Sequence, residues 1–279
     1  MPTPKFYYTR LRNGFDTKIS PPWQMVPLGG TREVRLFWGP ALTVVSTVPG
    51  VATVANSATA YARSTKNIRY LTIRGRSHGR CFIEARQGSV VKARLEVAVK
   101  RAKLVRLAFN FVKDTGGHRT NRATASVNGY VRTINQIYTP QTNVRFSVVQ
   151  TRWVTVNRNL GTVVRFSSHL PGVAAGHHEW GHVVGKRYGA ADFNFFFVWE
   201  YEQDATPGTD NTDAGALGAN CIFEDRAGVQ IGETLAHEIG HFLGCRDYYA
   251  NGDRSLLMYG YTDTRGQRIT KGHANTMNP

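Results

Sequence analysis

Two stretches of the sequence have the pattern His-Glu-x-x-His. The first is HHEWGH at residues 177–182, with His178, Glu179 and His182, and the second is HEIGH at residues 237–241. On a helix, two histidines four residues apart project from the same face, and the glutamate beside the first can reach a water molecule bound to a metal. Each pentad therefore has the spacing of a zinc-dependent hydrolase, and the surrounding residues must decide between them.

The residues around the second pentad supply what a catalytic zinc site needs. Gly244 suits a left-handed helix end that turns the chain sharply. Asp247 follows three residues later and offers a carboxylate as a third ligand, which leaves a fourth position open for water. We predict zinc held by His237, His241 and Asp247, with Glu238 as the general base. Apolar residues on the opposite helix face would anchor it in the core: Ile231, Leu235, Ile239 and Phe242.

The first pentad lacks these supports. Tyr188, a poor zinc ligand, occupies the place of the third ligand, and Pro171, Gly172 and Gly176 precede the pentad. Because proline and glycine disfavour a long helix, we predict a loop or short helix without a catalytic metal. A second, structural metal that involves His177 is the alternative that the sequence leaves open.

The second pentad and its surroundings resemble the metzincin clan of zinc peptidases, whose motif is HExxHxxGxx followed by His or Asp as the third ligand. Five positions match the Asp form of this motif: His237, Glu238, His241, Gly244 and Asp247. SLLMYGY at residues 255–261 places Met258 where the clan has a methionine turn beneath the metal. The resemblance implies a zinc endopeptidase over roughly residues 103–265, with Glu238 as general base and Met258 as the structural methionine.

Two details of the resemblance concern the substrate. The aromatic run DFNFFFVWEYE resembles the clan's edge strand, which implies a peptide or protein substrate bound as an added β-strand along residues 193–201. Clan members that use a tyrosine of the methionine turn place it two residues after the methionine, where this chain has Gly260. Tyr259 and Tyr261 flank that position, and neither is assigned a catalytic role.

Hydrophobic patterning predicts two domains after an N-terminal extension of residues 1–21. Residues 22–101 consist of short, alternating, β-branched segments that predict an all-β sandwich, and their order resembles bacterial immunoglobulin-like domains. Residues 102–279 combine strand patterns such as KLVRLAFNFVKD with helix patterns at ASVNGYVRTINQIYT and GETLAHEIGHFLG. The predicted fold class is an immunoglobulin-like β-sandwich followed by an α+β, metzincin-like zinc peptidase domain with a mixed sheet and an active-site helix.

The net charge of +16 is concentrated in the first part of the chain. Residues 1–101 contain 17 Lys and Arg against 4 Asp and Glu, whereas residues 102–279 contain 18 against 15. A locally acidic stretch surrounds the second pentad, which argues against a specific nucleic-acid enzyme. The basic N-terminal domain indicates contact with an anionic surface or polymer instead.

Other features concern compartment and assembly. No run approaches the roughly eighteen apolar residues of a transmembrane segment, and the N-terminus lacks the apolar core of a signal peptide. We therefore expect a bacterial monomer, secreted without a Sec-type signal peptide or cytoplasmic before export. Of three cysteines, Cys221 and Cys245 could pair, which their spacing does not decide. The run DATPGTDNTDAG is predicted to be a solvated loop, with a structural Ca²⁺ as the alternative.

Together these features predict a zinc-dependent endopeptidase that hydrolyses peptide bonds with a metal-activated water and Glu238 as general base. Two alternatives stay open. One is a secreted toxin or effector hydrolase that acts on cell-envelope peptide in peptidoglycan. The other is an inactive metzincin scaffold whose basic β-domain binds an anionic surface.

Overall fold

The structure is a computed structural model that describes residues 3–10, 12–37, 42–57, 67–165, 179–202, 214–225, 230–249, 253–260 and 266–279. The chain divides into two compact units. Unit 1 comprises Met1–Lys103, Ile137–Val144 and Ile269–Pro279, and unit 2 comprises Leu104–Gln136 and Arg145–Arg268. Unit 1 therefore contains the C-terminal segment as well as the N-terminal strands, whereas the predicted domains covered residues 22–101 and 102–279.

The described residues of unit 1 form nine strands: β1 (Lys5–Tyr8), β2 (Phe15–Asp16), β3 (Trp23–Pro27), β4 (Thr31–Phe37), β5 (Thr43–Ser46), β6 (Ala52–Asn56), β7 (Ile68–Gly75), β8 (Gly79–Gln87) and β9 (Val90–Lys100). They form a four-stranded sheet of order β1-β4-β7-β6 and a five-stranded sheet of order β2-β3-β9-β8-β5. All pairs are antiparallel except β3 with β9. Residues 1–21, predicted to be an extension, contribute β1 and β2.

The two sheets of unit 1 share one hydrophobic core. Leu36 and Ile73 of the four-stranded sheet belong to the same buried cluster as Ile83, Leu95 and Val97 of the five-stranded sheet. Leu95, Val97 and Val99 of β9 all belong to this core, because every second residue of a strand points to the same face. Helix α4 (Lys271–Met277) closes the unit, and its first turn is capped by Thr270, whose hydroxyl accepts a hydrogen bond from the His273 amide at 3.1 Å.

Unit 2 contains most of the remaining elements: β10 (Lys103–Asp114), α1 (Val127–Thr142), β11 (Val144–Val156), β12 (Val164–Arg165), α2 (Glu179–Val184), β13 (Phe193–Phe197), β14 (Tyr201–Glu202), β15 (Ala214–Leu217), β16 (Asn220–Phe223) and α3 (Ile231–Phe242). Its main sheet has the order β11-β10-β13-β16-β15, and β12 pairs with β14 separately. β13 is parallel to β10 and β16, while β15 is antiparallel to β16. The helices predicted at ASVNGYVRTINQIYT and GETLAHEIGHFLG are confirmed as α1 and α3.

The predicted fold class is wrong. Of the described residues, 45% lie in strands and 19% in helices, and the strands form four sheets, so the described part of the chain is mainly β. An immunoglobulin-like sandwich followed by an α+β metzincin-like domain does not describe this chain. The sequence patterns gave α1 and α3 too much weight, since strands of two to five residues such as β12, β14 and β15 carry too little periodicity to be recognised.

The predicted edge strand near residues 193–201 is also wrong. β13 lies in the interior of its sheet, with Phe195 paired to Phe109 of β10 on one side and to Cys221 of β16 on the other. All five residues of β13 are buried. A strand covered on both faces takes apolar residues at consecutive positions, which explains the run FNFFF. The edges of this sheet are instead β11 and β15.

Among the described residues, no helix has the length and apolar character needed to cross a membrane.

Candidate metal centre

Helix α3 carries three of the predicted site residues. His237 and Glu238 are buried, with 3% and 5% of their surface exposed, while Leu235 and Ile239 are fully buried. At the end of the helix, the Phe242 ring lies 5.0 Å from that of Phe193 in β13. The apolar side of α3 thus anchors the helix in unit 2 and fixes the direction in which the histidines and the glutamate project.

Three candidate ligand atoms form a compact triangle. The Nε2 atoms of His237 and His241 lie 3.0 Å apart, and Oδ1 of Asp247 lies 3.0 Å from the first and 3.5 Å from the second. A carboxylate oxygen of Glu238 is within 4.8 Å of the ring nitrogens of both histidines. The structure therefore brings together all four residues that the sequence assigned to metal binding and base catalysis.

Backbone carbonyls orient both imidazole rings. Nδ1 of His237 donates to the carbonyl oxygen of Leu257 at 2.9 Å, and Nδ1 of His241 donates to that of Cys245 at 3.0 Å. These acceptors place the proton of each neutral ring on Nδ1, so the lone pair is on Nε2. Such outer hydrogen bonds are the usual means by which proteins fix a metal-binding histidine.

The turn after α3 delivers Asp247 to this triangle. Gly244 has φ of +91°, and the Cys245 amide donates to the Gly240 carbonyl at 2.9 Å, so the helix ends in a left-handed glycine as the sequence predicted. The carboxyl group of Asp247 is partly buried, and its Oδ1 accepts no hydrogen bond from any described residue. Its Oδ2 accepts one from the Tyr249 hydroxyl at 3.2 Å.

Electrostatics at Asp247 favour the carboxylate form. Burial raises the pKa of this carboxyl. His237, His241 and the Tyr249 hydroxyl together lower the pKa by more than burial raises it, so the net pKa lies below the usual value. The ionised Oδ1 then lies within 3.5 Å of the Nε2 atoms of both histidines. A cation between these three atoms would satisfy Oδ1, because a buried unpaired acceptor is costly.

Zinc fits the triangle. Zinc–ligand bonds of about 2.0–2.2 Å in a tetrahedral site place neighbouring ligand atoms about 3.3 Å apart. The separations of 3.0, 3.0 and 3.5 Å among the two Nε2 atoms and Oδ1 bracket that value. Two imidazoles and one carboxylate are a donor set that zinc accepts at catalytic sites, with a fourth position for water.

The segment around Met258 is joined by hydrogen bonds to residues of the site. Met258 is fully buried, and its carbonyl accepts a hydrogen bond from the Tyr248 amide at 2.7 Å. Its neighbour Leu257 provides the carbonyl that binds His237, and the Leu257 amide in turn donates to the Arg268 carbonyl at 2.9 Å. The methionine turn is therefore linked to both the helix histidine and the segment that carries Asp247.

Sequence reasoning did not identify Tyr249. Its hydroxyl contacts Asp247, and its ring lies against Gly260, where an added Cβ would be 2.2 Å from the Tyr249 Cε1 atom. The signal in the sequence is slight: a tyrosine two residues after the third ligand and a glycine two residues after Met258. Tyr259 is buried in the structure, and Tyr261 lies outside the described residues.

The first pentad is engaged differently. Glu179 forms an ion pair with Arg165, with oxygen–nitrogen distances of 2.6 and 2.8 Å, and Nε2 of His182 lies 2.7 Å from Nη1 of Arg158. Burial raises the pKa of the Glu179 carboxyl, but Arg165 lowers it more, so the carboxylate is favoured. Glu179 and His182 lie in the six-residue helix α2, whereas His177 and His178 fall outside the described part of the chain.

Two further predictions concern cysteines and calcium. Cys81, Cys221 and Cys245 are all buried thiols, so the structure contains no disulfide between Cys221 and Cys245. Burial raises the pKa of the Cys245 thiol to about 11, and a protonated thiol is a poor metal ligand. The run DATPGTDNTDAG falls almost entirely outside the described residues, so the calcium alternative stays a prediction.

Comparison with known proteins does not identify a family for the chain. No protein-family model and no curated protein matches it. Among solved structures, the chain overlaps with domains 4 and 5 of the S-layer protein SbsC, at 18% sequence identity and a TM-score of 0.23, over 27% of this chain and 45% of that one. Domains 5–6 of the same protein overlap at 18% identity and a TM-score of 0.22, over 27% and 39%. The matched part is thus less than half the length of each of those structures.

Proposed function

We propose that the chain is a zinc-dependent endopeptidase with its active site on α3. The observation that carries this proposal is the triangle formed by Nε2 of His237, Nε2 of His241 and Oδ1 of Asp247, with Glu238 beside it. We also propose a relationship to the metzincin clan. This part of the proposal is supported only by the HExxHxxGxxD spacing of the site residues.

The residues of the site have separate tasks in peptide hydrolysis. His237, His241 and Asp247 would hold the zinc ion, which supplies Lewis-acid activation of a water molecule and of the substrate carbonyl. Glu238, whose carboxylate oxygen lies within 4.8 Å of the candidate ligand atoms of both histidines, would accept the proton of the attacking water and return it to the leaving nitrogen. Its burial keeps competing solvent away from the carboxylate during both transfers.

Strand β15 is the proposed substrate-binding edge. It is the last strand of the main sheet of unit 2, it is paired on its other side with β16, and it contacts α3. An extended peptide can add to such an edge through backbone hydrogen bonds. The proposed substrate therefore lies along Ala214–Leu217 and not along residues 193–197, which are buried.

Substitution of Glu238 tests the proposal. Glu238→Ala removes the general base without removing a ligand, so the variant is expected to bind one zinc per chain and to lose peptide cleavage by about 10²-fold or more. His237→Ala is expected to lose both zinc and cleavage. Glu179→Gln in the first pentad is the matched control and should retain both. Undiminished cleavage by zinc-loaded Glu238→Ala would overturn the proposed function.

Peptidoglycan is the second candidate substrate. It is favoured by the basic face of unit 1, where Lys5 Nζ lies 5.5 Å and Arg35 Cζ 5.9 Å from the centroid of the Tyr7 ring. These cation–π contacts hold positive charges at the surface of a sheet, where an anionic cell-wall polymer could bind. Muropeptide analysis of purified cell walls after incubation with the protein distinguishes cleavage of stem or bridge peptides from general proteolysis. Export without a Sec-type signal peptide would suit this target and stays a prediction.

A further inference from the structure

The two carboxylate oxygens of Asp247 have different surroundings. Oδ1 lies between the imidazoles, at 3.0 and 3.5 Å from the Nε2 atoms of His237 and His241. Oδ2 accepts a hydrogen bond from the hydroxyl of Tyr249 at 3.2 Å. Only one oxygen of the carboxylate therefore faces the other two candidate ligands, and the second oxygen is held by a side chain.

Tyr249 is kept in this position by Gly260. An ideal Cβ at Gly260 would lie 2.2 Å from Cε1 and 2.5 Å from Cζ of the Tyr249 ring, so only glycine leaves room for the ring. The backbone segments on either side are joined, because the Tyr248 amide donates to the Met258 carbonyl at 2.7 Å and the Gly260 amide to the Tyr248 carbonyl at 3.3 Å. The ring thus packs directly against Gly260, although 57% of the residue is exposed.

We propose that Tyr249 is a positioning residue for the metal ligand Asp247. By holding Oδ2, its hydroxyl would leave Oδ1 alone to bind the metal. The inference rests on the proposed function, because it needs a metal between the three ligand atoms. A carboxylate that bound through both oxygens would occupy an additional coordination position, whereas a catalytic zinc needs one position free for water. Residues behind the ligands commonly set metal affinity in this manner.

Tyr249→Phe tests the proposal, since it removes the hydroxyl and keeps the ring against Gly260. The expected result is a zinc dissociation constant about 10-fold higher than that of the parent, measured by competition with a chromophoric chelator. The variant loaded with Co²⁺ in place of zinc should show weaker visible absorption, because the additional carboxylate oxygen raises the coordination number. The melting temperature of the metal-free protein should not change, which excludes a general loss of stability.

Tyr7→Phe is the matched control. Tyr7 lies in unit 1 and, like Tyr249, retains its ring contacts when the hydroxyl is removed. This variant should show the zinc affinity and the Co²⁺ absorption spectrum of the parent.

A double-mutant cycle tests the role of Gly260 independently. Gly260→Ala displaces the Tyr249 ring and should also weaken zinc binding. In a Tyr249→Ala background the added methyl group meets no ring, so Gly260→Ala should have little further effect on zinc affinity. Additive losses in the two single variants would contradict the proposed contact.

The outcomes separate this inference from the proposed function. Parent-like zinc affinity and Co²⁺ absorption in Tyr249→Phe would overturn the role of Tyr249, while zinc binding by the parent and loss of cleavage in Glu238→Ala would still support the peptidase. Failure of the parent to bind zinc would overturn both.

Discussion

His237 and His241 approach each other through their Nε2 atoms. Their Nε2 atoms are 3.0 Å apart, while both Nδ1 atoms donate to backbone carbonyls. When both rings are neutral, the two Nε2 lone pairs repel each other at this distance, and the nearby Oδ1 of Asp247 adds a third electron-pair donor. The fold therefore holds three donors in an arrangement that a cation stabilises, so metal binding and the stability of unit 2 should be coupled.

Zinc should stabilise the parent protein against heat. At a free zinc concentration about a thousand times the dissociation constant, the stabilisation is about 4 kcal/mol, which corresponds to an increase of about 10 °C in melting temperature. Differential scanning calorimetry with zinc and with excess chelator measures the difference. His241→Ala should lose most of it, whereas His182→Ala in the first pentad should keep it. Equal zinc-induced increases in the parent and in His241→Ala would contradict the assignment of His241 as a ligand.

Stability should rise with pH above about 8 because of Lys100. Its side chain is buried, its Nζ donates to the Asn278 carbonyl, and burial, followed by repulsion from Arg80, lowers the pKa of its ammonium group to about 8. The unfolded chain has the ordinary lysine pKa of about 10.4, so between these values the unfolded state binds more protons. The free energy of unfolding should therefore increase as pH rises from 8 to 10.4, by up to about 3 kcal/mol.

Urea unfolding at several pH values in this window measures the effect. Lys100→Met lacks the titrating group, so its stability should depend less on pH than that of the parent. The control is Lys92→Met, because Lys92 is exposed. A parent and a Lys100→Met variant with the same pH slope would show that Lys100 does not titrate in this range.

Asp114 should contribute far more to stability than Asp192, although each forms an ion pair, Asp114 with His118 and Asp192 with Arg106. The Asp114 side chain is fully buried and accepts hydrogen bonds from the Leu160 amide at 2.8 Å and from the His118 amide and Nδ1 at 2.8 and 3.0 Å. Burial raises the pKa of the Asp114 carboxyl, but these donors lower the pKa by more than burial raises it, so the net pKa is below the usual value. Asp192 pairs with Arg106 at the surface.

Asp114→Asn should lower the free energy of unfolding by about 2–3 kcal/mol at pH 7, and Asp192→Asn by less than about 1 kcal/mol. Because the folded-state pKa of Asp114 is depressed, its contribution is present above the ordinary carboxyl pKa of about 3.9 and is lost as pH falls below it. Chemical denaturation of both variants and the parent at pH 7 and pH 3 checks this. A larger cost for Asp192→Asn than for Asp114→Asn would contradict the ranking.

Local patterns predicted the helix and the turn of the site, because each depends on residues close in sequence. The spacing of His237 and His241, the left-handed Gly244 and the position of Asp247 all follow from α3 and its C-terminal end. The position of β13 within its sheet depends on which strands lie beside it. The sequence predicted an edge strand there, whereas β13 lies in the interior of the sheet. Its run of buried residues was the available signal, since edge strands alternate more strongly.

Contacts between distant segments could not be predicted in this way. The Tyr249 ring packs against Gly260, and no spacing rule in the sequence relates a ring to such a glycine. Similarly, Lys103 Nζ donates to the Met277 carbonyl at 3.0 Å, which attaches the last helix to unit 1. Such pairings depend on tertiary packing, which single-sequence periodicity does not contain.

Gly244→Ala should weaken zinc binding as well as stability, whereas Gly161→Ala should affect stability alone. Both glycines have positive φ, +91° and +79°, so alanine at either position is strained by about 1–3 kcal/mol. Only Gly244 lies between the helix histidines and Asp247, and relief of its strain would move Oδ1 away from the two Nε2 atoms. Calorimetry and chelator competition on both variants separate the two effects. Equal zinc affinities in Gly244→Ala and Gly161→Ala would mean that the turn does not position the third ligand.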